Sequence, residues 1–205
     1  MDPTATGPAT SAARIGVFGG TFDPIHRGHV EVAAAVSDAL ALDRMLVVVA
    51  NEPWQKQDRP VTPAEDRFAM VEAALADRPG LESSRIELDR GGPSYTIDTV
   101  RELRALDPEA EVVVVVGADV VATIDTWREH DALRDLVTLA IVDRPGSPGI
   151  DPPEGWRFTR VPVTPLDVSS TDLRSRLETG DPVGDAVPPA VIRCIVERDL
   201  YATER

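Results

Sequence analysis

Two histidines three residues apart, His26 and His29, follow a pair of glycines, Gly19 and Gly20, in the stretch GVFGGTFDPIHRGH. At positions i and i+3 of a helix start, two imidazoles share one face. Backbone N–H groups and the positive end of the helix dipole point the same way. Glycines there let backbone amides approach a ligand with no Cβ in between. These residue types in this order suit a polyphosphate held by two chargeable donors. On the histidine pair alone, a glycine turn followed by capping or surface histidines is the commoner outcome. A closed zinc site fits poorly, because the chain has one other histidine, His130, and one cysteine, Cys194. A Walker-type phosphate loop is excluded, since no Gly-Lys-Ser/Thr follows the glycines.

Further candidates lie downstream. Ser169, Ser170 and Thr171 open SSTDLR with hydroxyls and bare amides, and Arg174 follows one turn later, which suits the far end of a polyphosphate. The same residues read equally as an ordinary N-cap with a solvent-facing arginine. Lys56, in the polar loop NEPWQKQDRPV, could reach a phosphate or stand as a solvated charge. Trp127 could stack on a flat ring or anchor a helix, and Tyr95 with Thr96 could offer donors to a carboxylate. Gly117 and Asp119 follow a strand pattern, so Asp119 could accept from ribose hydroxyls or cap the next helix.

The elements that must position these side chains alternate along the chain. RIGVF, MLVVVA, RIEL, EVVVVV, LVTLAIVDRPG and RFTRVPV read as strands, three of them as the continuous apolar runs expected of strands covered on both faces. Between them lie helical patterns. The one opening at Gly28 has Val32, Val36, Ala39 and Leu40 as its apolar face. Another opens at Thr62 as N-cap, with Pro63 at the first helical position, Glu65 closing a capping box, and Phe68, Met70, Val71 and Leu75 as apolar residues. Others run over TIDTVRELRAL, SSTDLRSRLE and PPAVIRCIVERDLY. Such alternation predicts an α/β domain with a mainly parallel sheet, whose ligands bind beyond the carboxyl ends of the strands. Gly19–His29, Asn51–Lys56 and Gly117–Asp119 all fall on that edge.

Composition bounds the rest. A chain of 205 residues, 42% hydrophobic and 27% charged, is expected to form one domain over 14–205, with a helical part at about 169–201. Residues 1–13 read as a disordered tail without the features of a signal peptide. A net charge of −14 argues against a nucleic-acid partner, although local basic groups can still hold small anions. The single cysteine fits a reducing compartment and no apolar run reaches membrane-spanning length, so a cytoplasmic location without a membrane partner is expected.

GGTFDPIHRGH resembles the G-x-F-D-x-x-H-x-G-H signature of the nucleotidylyltransferase superfamily, matching all six of its specified residues in spacing. Four other segments are similar to one branch of it, the bacterial nicotinate-mononucleotide adenylyltransferases. GGPSYTIDTVREL resembles their S-Y-T-x-D-T-L segment, and VGADVVATIDTW their G-A-D…W segment. VDRPG resembles the strand and turn that follow, and VSSTDLRSRL their I-S-S-T-x-I-R motif. The resemblance also takes in the last helix and covers about Arg14 to Tyr201. One loop departs from the pattern: in VANEPWQK, Val49 stands where proline is common and Ala50 where the family has a small hydroxyl residue, while PWQK is kept.

The resemblance implies a Rossmann-like, doubly wound fold and adenylyl transfer from ATP to nicotinate mononucleotide, giving nicotinate adenine dinucleotide and pyrophosphate in NAD biosynthesis. It implies Mg²⁺ carried on the ATP phosphates, with no protein metal ligands assigned. The catalytic group would be His26, His29, Lys56 and Arg174. ATP would contact Gly19, Gly20, Thr21, Phe22, Gly117, Asp119, Ser169, Ser170 and Thr171, and the mononucleotide would meet Tyr95, Thr96 and Trp127. Three matters stay open: homo-oligomerisation, another phosphate-monoester acceptor such as nicotinamide mononucleotide, and a nucleotide-binding regulator without catalysis.

Overall fold

The computed structural model describes residues 12–53, 60–143, 149–164 and 168–201. Six parallel strands form one sheet: β1 (Arg14–Gly20), β2 (Arg44–Val49), β3 (Leu81–Ser84), β4 (Glu111–Gly117), β5 (Val137–Val142) and β6 (Phe158–Val161). Their order is β3-β2-β1-β4-β5-β6. The winding direction reverses between β1 and β4, and that switch point is where a doubly wound sheet opens a crevice at its carboxyl edge.

Alternation along each strand divides the core in two. Met45, Val47, Val49, Val113, Val115 and Ala140 face one helical layer, formed by α1 (Arg27–Ala39), α2 (Ala64–Leu75), α7 (Ser170–Thr179) and α8 (Pro189–Glu197). Leu46, Val48, Val112, Val114, Leu139 and Ile141 face the other, formed by α4 (Thr96–Leu106), α5 (Ala118–Val121) and α6 (His130–Leu136). The runs that read as continuously apolar are therefore the strands that need apolar side chains on both faces. The sheet and its two flanking layers form the single α/β domain that alternation predicts. The expected tail, residues 1–13, lies outside the described residues except for 12–13. Among the described residues no helix is long and apolar enough to cross a membrane.

Three local expectations are corrected. RIEL is not a strand: LESS, one segment earlier, forms β3 against β2, pairing Met45 with Leu81 and Val48 with Ser84. Gly80, at φ 83°, turns the chain straight into that strand, and Arg85 (φ −91°, ψ 2°) turns it out into the short helix α3 (Ile86–Arg90). Next, α2 starts at Ala64 with Pro63 as N-cap and no side-chain cap, because the Glu65 carboxylate instead accepts two hydrogen bonds of 2.8 Å from Arg85. Finally, α1 buries Val30, Ala33 and Val36, whereas Ala39 is exposed. The small Ala33 lets this helix lie close on the sheet, and that sets its rotation.

Candidate active site at the carboxyl edge

The β1–α1 connection carries the first half of the site. His26 is the N-cap of α1, extended at φ −140°, and His29 is its third residue. The His26 backbone N–H donates to His29 Nδ1 at 3.3 Å, and the imidazoles stack with centroids 3.7 Å apart. Because Nδ1 accepts, this bond assigns the proton of a neutral His29 to Nε2. Phe22 is buried, at φ 50°, with its ring edge-on to His29 at 5.1 Å. It props the histidine from below and does not line the cleft. Gly20 is small for the same reason: a Cβ there would meet the Phe22 ring at 2.7 Å. Gly19 is exposed, and a Cβ on it would meet nothing within 4 Å. The open side of the strap is thus Gly19, and the packed side is Gly20.

Helix α7 docks on this connection, and its polar residues divide the work. Ser169 is its N-cap, accepting from the Asp172 amide at 3.1 Å. Ser170 Oγ donates to the Pro24 carbonyl at 3.0 Å. Arg174 does not face solvent: Nη1 donates to the Asp23 carbonyl at 2.6 Å and Nη2 to Thr171 Oγ1 at 3.2 Å. The buried Asp23 carboxylate lies 3.9 Å from Arg174 and accepts from Tyr201 Oη at 2.8 Å. Burial pushes the Tyr201 phenol well above its usual range, so it stays a neutral donor.

A cleft of about 910 Å³, counting space open to solvent, lies beside the strap at the switch point. It joins Gly19, Gly20 and Thr21 on one wall to Tyr95, Thr96 and Trp127 on the other, with Ala50 between them. The Arg128 guanidinium lies over the Tyr95 ring, 4.7 Å from its centroid. Trp127 Nε1 is buried, with no hydrogen-bond partner among the described residues. Asp119 is exposed in the first turn of α5, with Gly117 as N-cap. His26, His29, Gly117, Asp119, Arg174 and residues 169–171 do not line this cleft. Lys56 lies outside the described residues.

Sequence reasoning missed Arg67, Asp23, Ser94 and Tyr201. Arg67 is 1% exposed, and its guanidinium donates to the carbonyls of Thr62, Thr21, Ala50 and Asn51 at 2.7–3.1 Å. The signal was present: Arg67, Met70, Val71 and Ala74 have the spacing of one buried helix face. Asp23 stood inside the opening motif, unused.

This sheet, with a glycine strap and paired histidines at its switch point, defines a nucleotidyltransferase of the cytidylyltransferase-like family, whose model matches residues 17–176. Within that class, the chain belongs to the family of nicotinate-nucleotide adenylyltransferases. A relative from Streptomyces coelicolor, named "Probable nicotinate-nucleotide adenylyltransferase", is 46% identical over 190 residues, which cover 91% of this chain and 100% of that one. A relative of the same name from Corynebacterium kroppenstedtii is 42% identical over 197 residues, covering 94% and 93%. The fold is shared with the Plasmodium falciparum nicotinic acid mononucleotide adenylyltransferase complexed with NaAD. That structure has a TM-score of 0.78 at 20% identity, and the match covers 92% of this chain and 97% of that one.

Proposed function

We propose that the chain transfers AMP from ATP to nicotinate mononucleotide, releasing pyrophosphate and forming nicotinate adenine dinucleotide. One observation carries the reading: a single cleft at the switch point joins the glycine strap to the Tyr95–Thr96–Trp127 wall. A 5′-phosphate oxygen of the acceptor attacks the α-phosphorus of ATP in line. The new P–O bond forms as the bond to the β-phosphate oxygen breaks, and pyrophosphate leaves with that electron pair. The attacking oxygen is already ionised, so no general base is needed, and catalysis consists of alignment and charge stabilisation.

His29 Nε2–H and His26 donate to phosphate oxygens, at the positive end of α1. Arg174 exchanges the Asp23 carbonyl for the β and γ phosphates, with Ser169, Ser170 and Thr171 at the amide end of α7. Gly19, Gly20 and Thr21 lie along the nucleotide, Phe22 contributing only its backbone, while Gly117 and Asp119 meet the ribose. Tyr95, Thr96 and Trp127 hold the nicotinate, and Lys56 steadies a phosphate. Among the described residues no group of three His, Cys, Asp or Glu could hold a metal. Mg²⁺ would enter as part of the MgATP substrate, its charge spread over the phosphates. A cytoplasmic setting is part of this proposal, since ATP and the mononucleotide are both water-soluble.

Purified protein given MgATP and nicotinate mononucleotide is expected to release pyrophosphate and form the dinucleotide. Nicotinamide mononucleotide and simple phosphate monoesters, run alongside, should be poorer acceptors. Equal or better turnover with any of them would reassign the acceptor, and tight ATP binding without pyrophosphate release would make the chain a binding protein.

A further inference from the structure

Arg67 is a buried charge whose bonds do not go to a carboxylate. Withdrawing a guanidinium from water costs several kcal/mol, and burial pulls its pKa below the usual arginine value, although Asp23 and Tyr201 act in the opposite sense. A methionine or leucine there would complete the apolar face of Met70, Val71 and Ala74 without that cost. What only a guanidinium can do is span carbonyls at fixed angles. Nη1 donates to Thr21 O at 2.9 Å and to Ala50 O at 2.7 Å, Nη2 reaches Asn51 O at 3.1 Å, and Nε holds Thr62 O at 2.7 Å. Thr21 directly follows β1, and Ala50 and Asn51 directly follow β2, where the sheet ladder stops supplying partners.

The linkage continues across the cleft. Ala50 N–H donates to Gly20 O at 2.9 Å, tying the same two strand exits from the other side. Asn51 N–H donates to Ser94 Oγ at 2.8 Å and its side-chain amide to Gly92 O at 3.0 Å, while Ser94 N–H donates to Glu52 O at 3.1 Å. Ser94 is the residue before Tyr95, the N-cap of α4. One guanidinium therefore heads a path of hydrogen bonds, joined by short stretches of backbone, from the glycine strap to the acceptor wall.

We infer that Arg67 is a positioning residue for the transfer, setting the strap at Gly19–Thr21 and the wall at Tyr95–Thr96 at the separation that in-line attack requires. The inference rests on the functional reading above. Each half-site is complete without it, since Arg67 does not line the cleft itself. What it sets is the distance between them, and a misplacement of about 1 Å in such a reaction costs on the order of 10²-fold in rate.

The test is steady-state kinetics and thermal melting of the wild type, Arg67→Lys and Ser94→Ala, with MgATP and nicotinate mononucleotide. Lysine keeps the charge but cannot span Thr21, Ala50 and Asn51 together. For Arg67→Lys, kcat should fall about 10²-fold at a temperature where the variant is folded, with both KM values within about fivefold of wild type. Ser94→Ala cuts the acceptor-side link alone. It should lower kcat about tenfold or raise the acceptor KM as much, and leave the KM for ATP unchanged. A folded Arg67→Lys with a lower melting temperature but wild-type kcat would make Arg67 merely structural and overturn the inference. If that variant fails to fold, Ser94→Ala decides: wild-type values for all three constants overturn the inference, and the stated loss upholds it. A wild type that releases no pyrophosphate would sink the functional reading instead, and the same assay shows which has failed.

Discussion

Replacing His29 by alanine removes two things that can be measured apart. The first is the Nε2–H that the proposed mechanism aims at the transferring phosphates. Loss of one preorganised donor to developing negative charge costs about 10²–10³-fold in kcat, or about 2.7–4 kcal/mol. The second is structural: Nδ1 caps the His26 amide at 3.3 Å, and the ring meets Phe22 edge-on at 5.1 Å. A cap is worth about 0.5–2 kcal/mol, and this long bond belongs at the low end. The aromatic edge contact adds about 0.5–1.5 kcal/mol. At about 2–4 °C per kcal/mol for a chain of this size, the melting temperature should fall by several degrees. The variant is then still folded at 25 °C, and the kinetic loss reports on the reaction. His29→Gln separates the terms, since glutamine at this helix position can accept from the N-cap amide. It should recover much of the melting temperature but little of the rate. Pyrophosphate release coupled to pyrophosphatase reads the rate, and circular dichroism reads the melt. Turnover of His29→Ala within about threefold of wild type would refute the donor role, whatever the melt showed.

The two glycines of the strap should separate in the same way. Gly19→Ala is expected to melt like the wild type, because its Cβ meets nothing within 4 Å, yet to raise the KM for ATP about tenfold or more by standing between amide and phosphate. An unchanged KM would show that no ligand approaches there. Gly20→Ala should destabilise by about 1–3 kcal/mol, because its Cβ meets three Phe22 ring atoms at 2.7–3.0 Å and that ring is held between Phe18 and His29. Tyr201→Phe, measured by denaturant unfolding, should cost about 1.5–3 kcal/mol, the worth of a hydrogen bond to a buried carboxylate. The folded-state pKa of this phenol is raised, so its contribution is fully present below the ordinary tyrosine value of about 10 and is lost as pH rises above it. The wild-type advantage should be flat from pH 7 to 9 and shrink beyond pH 10. A constant difference up to pH 11 would contradict the burial argument.

Local patterns in the sequence were sufficient for the sheet interior and for the opening motif. MLVVVA and EVVVVV have the length and β-branched content expected of strands covered on both faces, and TIDTVRELRAL begins and ends as a helix at the observed residues, Thr96 and Leu106. RIEL misled because its alternating residues satisfy strand period and propensity better than LESS does. What decided between them was Gly80, whose left-handed turn places Leu81 beside Met45. An edge strand four residues long needs few β-formers when its partner is already held. The candidate site was legible to the extent that its residues are close in the chain. Gly19 to His29 could be read as one unit, and so could Ser169 to Arg174.

The joints between those units were not legible. Asp23 meets Arg174 151 residues later and Tyr201 178 residues later. Arg67 reaches back 46 residues to Thr21. In each joint one partner is a backbone carbonyl or a carboxylate that any surface loop could equally carry, so residue type alone gives no signal. A polar residue becomes informative when its helix face is buried, as with Arg67 beside Met70 and Val71, because a charge there must find its partners within the protein. Applied to the sequence, that rule selects Arg67 without coordinates. It does not find the carbonyls that Arg67 holds, because those oxygens are left without ladder partners only once β1 and β2 have paired and ended together.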